Sequence, residues 1–303
     1  MSNVNVLNQI FIIYFGIIAG FVFRKLRVLT EERTSALSAI VVNIVLPFYI
    51  FSAILRTDAG VDAKGVLITL GLSTGFFLVC GLIGIVVTAL LRPKKEDRGV
   101  YLFELMCSNV AYIGIPVCGA VLGETGRFYG ALLNIPYNLI CFSLGIFLLA
   151  GRMPLKKILN PVFVTGLIAA VLFMLKVPVP ELVLDGCAFI GQATSPCAMF
   201  IIGSALGGIP IRELFTEWRV IPYLILRLFG LAAIIAALLT FVPVDETLKG
   251  MLILMAALPA ATNSTMLCTI YGGNRALSAK LIFLSTALCG ITIPLWAALY
   301  FKV

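Results

Sequence analysis

Apolar residues in this chain fall into long unbroken runs, too long for the alternation of a half-buried strand and too uniform for the stripe of a surface helix. Ten such runs stand at about 6–24, 34–55, 65–91, 99–122, 127–150, 158–176, 181–208, 219–242, 248–271 and 275–301. The polar connections are short, and the longest, RPKKEDRG, spans Arg92–Gly99. A helix that crosses a bilayer needs about 20 mostly apolar residues. The pattern therefore predicts an all-α polytopic membrane protein of ten transmembrane helices, with no soluble domain inserted between them.

Composition agrees. Of the 303 residues, 61% are hydrophobic and 12% charged, against about a quarter charged in an ordinary soluble domain; mean hydropathy is +1.11. There is no His. That excludes His-ligated metal, His-dependent triads and the HExxH zinc site. The dipeptide Gly-Lys never occurs, so the chain has no P-loop. None of the eight Cys are spaced as CxxC; they read as small packing residues, neither metal ligands nor disulfides. No metal site and no bound cofactor is expected, apart from a coupled Na⁺ or H⁺.

The net charge of +8 says more about topology than about nucleic acid, which is not an expected partner. Fifteen of the 22 Lys and Arg fall in or beside connections after the odd-numbered runs, six in or beside the other connections and termini, and Arg227 is left over, well inside run 8. By the positive-inside rule the odd loops are cytoplasmic and both termini face outward, in a multi-pass protein of the cell membrane. The opening MSNVNVLNQIF has no positive n-region, so the first run is expected to be retained.

The two halves, 1–150 and 151–303, resemble each other. Asn43 and Pro47 in VVNIVLPFYIF match Gln192 and Pro196 in IGQATSPCAMF at one offset of 149, and Arg127 and Arg275 differ by 148. A duplication of five helices inserts its second copy upside down, which gives two inverted five-helix repeats. Such repeats are a signature of secondary transporters.

Runs 4 and 9, equivalent under the repeat, both carry helix breakers in mid-membrane. Run 4 has Asn109, Gly114 and Pro116; run 9 has Pro259, Thr262, Asn263, Ser264 and Thr265. Proline removes a backbone donor and clashes with the carbonyl four residues back. Backbone freed in this way survives in a membrane only inside protein or beside a wet cavity. A lone mid-span proline is a kink satisfied by neighbours; two matched breaks flanked by Asn favour a transport site. The N-terminal ends after Pro116 and Pro259 suit a carboxylate, and the C-terminal carbonyls of the first halves suit a cation. Asn134 and Asn138, i and i+4 on run 5, either line this cavity or bond between helices.

Glu104 lies within run 4 and Arg227 within run 8. Glu104 and Arg227 stand at comparable depth, so an ion pair between them, a coupled proton on Glu104 and an anion drawn to Arg227 are all open. Asp58, Asp62 and Lys64 read as solvated loop charges, and Asp185 as a helix cap.

At these motifs the chain resembles the auxin efflux carrier family, which contains plant PIN proteins and bacterial malate and malonate permeases. The stretches that carry the resemblance are GFVFRKLRVLTEERTSALSAIVVNIVLPFYIFSAIL, SNVAYIGIPVCGAVLGETG, NPVFVTGLIAAVLFMLKVPVPE, ALPAATNSTMLCTIYGG and STALCGITIPLW, in that order. The resemblance implies a fold like that of bile-acid symporters and sodium/proton antiporters. Helices 4 and 9 are then broken and crossing, helices 1, 2, 6 and 7 form a scaffold, and helices 3–5 and 8–10 form a moving transport domain. It also implies an organic anion as substrate and an elevator-like motion. The crossover maps to Asn109–Pro116, which includes Tyr112 and Gly114, and to Pro259–Asn263, which includes Thr262. Asn43, Pro47, Gln192 and Pro196 would face the substrate from the scaffold side, where a homodimer would also form. The long hydrophilic loop of many plant members is missing; the connection here is about Gly151–Lys157.

The leading expectation is thus a carrier of a mono- or dicarboxylate and no enzyme. A membrane-embedded transferase would need clustered Asp for Mg²⁺, and only Asp58 and Asp62 are close together. A channel or a receptor-like sensor on a transporter fold is the other alternative.

Overall fold

The computed structural model describes residues 3–56, 60–151, 158–208 and 217–301. Asp58 of the loop cluster, Arg152–Lys157 of the connection between the halves, and Arg212 and Lys302 of the charge pattern lie outside the described residues. Among the described residues fifteen α-helices follow one another: α1 (Asn3–Lys25), α2 (Glu31–Ile40), α3 (Leu46–Leu55), α4 (Ala63–Leu91), α5 (Lys95–Met106), α6 (Ile115–Ile140), α7 (Ile146–Ala150), α8 (Pro161–Met174), α9 (Glu181–Gly191), α10 (Thr194–Gly207), α11 (Val220–Ile225), α12 (Leu231–Leu239), α13 (Glu246–Ala256), α14 (Ser264–Tyr271) and α15 (Arg275–Phe301). Wider π turns link several of them: Val41–Val45, Val110–Gly114, Cys141–Gly145 and Leu226–Gly230.

The protein is all-helical and polytopic. Among the described residues, six continuous helical stretches are long and apolar enough to cross a membrane: Glu31–Leu55, Ala63–Leu91, Val110–Leu149, Glu181–Gly207, Val220–Leu239 and Arg275–Tyr300. The sequence pattern predicts ten. Two of the remaining runs are interrupted, so that α5, α13 and α14 are each too short alone, and α8 is a shorter apolar helix. The stretch Val110–Leu149 joins parts of two predicted runs. Its helical backbone is broken at Gly123 (φ 71°, ψ −160°), the connection the sequence places between runs 4 and 5.

Local signals set the helix starts. Thr30 caps α2, whose first turn carries Glu31 and Glu32. Asn160 caps α8 by accepting from the Phe163 N–H, with Pro161 just inside. Asp245 caps α13 through the Leu248 N–H, and Asp62 accepts from the Gly65 N–H at the start of α4. Each satisfies amides that the first helical turn leaves unpaired. Asp185 does not cap. It lies inside α9 and pairs with Arg56 at 2.6 Å, tying the end of α3 to α9.

The chain forms two compact units. The first comprises Met1–Ser73, Val110–Asn138 and Leu159–Gly208. Here α1 and α10 pack through small residues. A Cβ on Gly203 would sit 1.9 Å from the Ile17 carbonyl oxygen, and one on Gly20 would sit 2.6 Å from that of Phe200. Only glycine permits that approach, and close backbone packing is what holds helices together in lipid. The second unit comprises Thr74–Asn109, Leu139–Ile158 and Ile209–Val303. In it α5 lies against α7, and a Cβ on Gly99 would meet the Leu148 carbonyl oxygen at 2.3 Å. Large apolar side chains such as Phe11, Leu182, Phe189 and Phe241 are exposed, as lipid-facing positions should be.

Candidate functional site

The second unit holds two interruptions of helical backbone. The first follows α5. Cys107 turns extended (φ −105°, ψ 120°), and Ser108 and Asn109 complete the gap before the π turn Val110–Gly114. All three residues are buried. Pro116 does not make this break. It is the second residue of α6, and the helical stretch has already resumed at Val110. The π turn lies just ahead of it, where the proline ring would otherwise crowd the carbonyl of Tyr112.

The second interruption separates α13 from α14 over residues 257–263 and contains Pro259. The two breaks meet. The Asn109 N–H donates to the Pro259 carbonyl at 3.0 Å, and Ser108 and Ala260 form an isolated antiparallel bridge. The Ala260 N–H donates to Ser285 Oγ on α15 at 3.1 Å. Backbone that lipid could not satisfy is thus satisfied by the other break and by a hydroxyl.

Charges of this protein stand at two of the helix ends created here. Arg227, fully buried in the π turn Leu226–Gly230, donates from Nη1 to the Leu105 carbonyl at 3.3 Å and from Nη2 to the Pro259 carbonyl at 3.4 Å. It caps the C-terminal end of α5, the partly negative end. Glu104, also fully buried, accepts at Oε1 from the Ser264 hydroxyl, and from the Ser278 hydroxyl at 2.9 Å. Ser264 is the first residue of α14, so a carboxylate sits at a partly positive end. No direct Glu104–Arg227 ion pair occurs among the described residues; each charge is turned to a different half-helix.

The remaining predicted residues lie as follows. Asn263 is half-buried and donates from Nδ2 to Cys141 Sγ at 3.5 Å; Thr262 is half-buried beside it. Asn109 is buried with no hydrogen-bond partner for its Nδ2 among the described residues. In the first unit, Tyr112 is buried with its hydroxyl 3.4 Å from Ser38 Oγ, and Gly114 is buried in the same π turn. Asn43 lies in the π turn Val41–Val45, exposed, and donates to its own helix at the Ala39 carbonyl. Pro47 is buried on α3. Gln192 falls at the gap between α9 and α10 and Pro196 in the first turn of α10, both exposed. Asn43 and Gln192, equivalent under the repeat, thus both occupy backbone irregularities. Asn138 and Asn134 are buried, and their amides donate back along α6 to Asn134 O and Gly130 O.

Sequence reasoning missed Ser278 and Ser285. Their signal was weak: two hydroxyls seven residues apart on one face of a mostly apolar helix. At the far end of α5 from the break, Lys95, Gly99, Leu149, Tyr271 and Asn274 help line a cavity of about 640 Å³. The buried Asp97 accepts there from the Asn274 amide at 2.7 Å.

This arrangement can be set beside known proteins. The family described as membrane transport protein matches residues 5–154 and again residues 146–297. The chain belongs to this family. It is the auxin efflux carrier-like group whose motifs the sequence carries. The chain is also similar to an uncharacterized transporter of Methanocaldococcus jannaschii, 25% identical across 96% of this chain and 97% of the relative. A second such transporter, of Methanothermobacter thermautotrophicus, is 24% identical across 93% and 94%. As a member of the membrane transport protein family, the chain is a multi-pass membrane transporter. The paired breaks are the feature of it that a transport site would use.

Proposed function

We propose that this protein is a secondary active transporter that moves a small organic anion, a mono- or dicarboxylate, by elevator-like alternating access. The observation that carries the reading is the backbone junction Asn109–Pro259: two interrupted helices joined at buried positions, in a chain of a transporter family. Paired interruptions of helices inside a membrane are where secondary transporters place substrate and coupling ions.

Asn109, Pro259, Thr262 and Asn263 hold the substrate in this reading. The end that begins after Asn109 is favoured for its carboxylate, because the end at Ser264 already faces Glu104. Asn43, Pro47, Tyr112, Gly114, Pro116, Gln192 and Pro196 remain proposed substrate residues on the strength of the resemblance, and Asn138 as a cavity-lining residue read from its spacing on run 5. Ten helices in two inverted repeats, helices 4 and 9 crossing, a scaffold of helices 1, 2, 6 and 7, a homodimer through that scaffold, and outward-facing termini in the cell membrane belong to the same proposal.

Counterflow in proteoliposomes tests it. A carrier loaded with unlabelled dicarboxylate accumulates labelled substrate transiently and saturably. Linear, non-saturating flux would indicate a channel. No flux with any organic acid, from protein that is folded and inserted, would refute the reading.

A further inference from the structure

Arg227 is the one fully buried Lys or Arg among the described residues, and the largest fully buried side chain there. A buried cation in a membrane is costly and calls for a role. Its two bonds go to backbone carbonyls, Leu105 O and Pro259 O, one from each interrupted helix. Carbonyls freed at unwound helix ends are the groups with which carriers of broken-helix design bind a monovalent cation. Here a guanidinium fills that position, and Glu104, the residue before Leu105, supplies the opposite charge nearby.

We propose that Arg227 is a resident cation that takes the place of a coupled Na⁺ at the junction of the two breaks, so that this carrier assembles its site without Na⁺. The inference rests on the carrier reading and fixes its coupling. A fixed guanidinium cannot leave with the substrate, so the junction stays closed through the cycle. An exchangeable Na⁺ would instead open and close it.

The test uses the full chain in nanodiscs and reads thermal unfolding in NaCl, KCl and choline chloride at matched ionic strength. Wild type and Arg227→Lys are expected to unfold at the same temperature in all three salts. Arg227→Met strips the carbonyls of their cation and leaves Glu104 uncompensated. It is expected to gain a Na⁺-specific rise of roughly 5 °C once Na⁺ is far above its dissociation constant. A role in packing alone would leave Arg227→Met equally unstable in every salt. If Arg227→Met does not fold, the charge-balanced Glu104→Gln/Arg227→Met protein takes its place and should show a smaller Na⁺-specific rise. Na⁺-specific stabilisation of the wild type overturns the proposal, and so does a folded Met variant indifferent to Na⁺. If neither variant folds, the wild-type series decides alone: equal unfolding in the three salts supports a resident cation. Failure of counterflow with every organic acid would overturn the carrier reading and leave these unfolding curves unchanged, so the two failures are distinguishable.

Discussion

The two helix interruptions occupy equivalent places in the two halves, yet they are built differently. The first, residues 107–109, is short and fully buried; a neutral amide, Asn109, follows the chain out of it. The second, residues 257–263, is longer, partly open at Thr262 and Asn263, and leads into a helix whose first hydroxyl is already committed to Glu104. A shared backbone plan therefore carries unequal electrostatics. The lesson is that a matched pair of breaks need not give two equivalent sites: one end already faces a carboxyl group of the protein, and the other carries the neutral amide of Asn109.

That asymmetry can be attacked in order of expected effect. Arg227→Met should cost about 3 kcal/mol or more, because it removes two charged hydrogen bonds to the buried carbonyls of Leu105 and Pro259. Unfolding in a Na⁺-free buffer measures the loss. Recovery in Glu104→Gln/Arg227→Met would show that charge imbalance, not the loss of these bonds, is the cause. Ser264→Ala should cost about 1.5–3 kcal/mol, since it removes a hydrogen bond to a buried charge. At the first break, Ser108→Ala should not destabilise the protein, because the buried Ser108 hydroxyl has no hydrogen-bond partner among the described residues. Equal losses at 264 and 108 would erase the distinction between the breaks. Asn109→Ala should leave the Asn109–Pro259 junction intact, since that bond is made by backbone, yet lower counterflow by about tenfold, the loss of roughly one hydrogen bond to a charged substrate. The smallest effect is expected at the second break. Asn263→Ala removes a long contact to Cys141 Sγ and should cost about 1 kcal/mol or less. A transport loss there as large as at Asn109 would argue that both ends bind substrate.

Much of this was legible in the chain. Run length gave the membrane, and proline with asparagine in runs 4 and 9 marked the broken helices. The positions of the breaks were less legible. Pro116 suggested an interruption at its own site, but the backbone parts at Cys107–Asn109. The helical stretch has already resumed at Val110, and the proline ring bears on the carbonyl four residues back, within the π turn. Asp185 looked like a cap because it stands near the start of a run; Arg56, 129 residues away in sequence, claims it instead. Ser278 and Ser285 gave only a weak sign, since buried hydroxyls are ordinary in apolar helices until a partner is known.

Sequence by itself determined that this protein lives in lipid, that its helices are interrupted at two related places, and that its family is one of transporters. These follow from apolar run length, from proline and from motif order, all of which are local or sequential. Only the tertiary structure decided that the breaks share a hydrogen bond, that Arg227 turns to carbonyls and not to Glu104, and that two serines of the last helix complete the site. Those outcomes depend on which groups come within about 3 Å of each other across more than a hundred residues of chain. No periodicity records that, because a hydrogen bond is a matter of distance and direction in space.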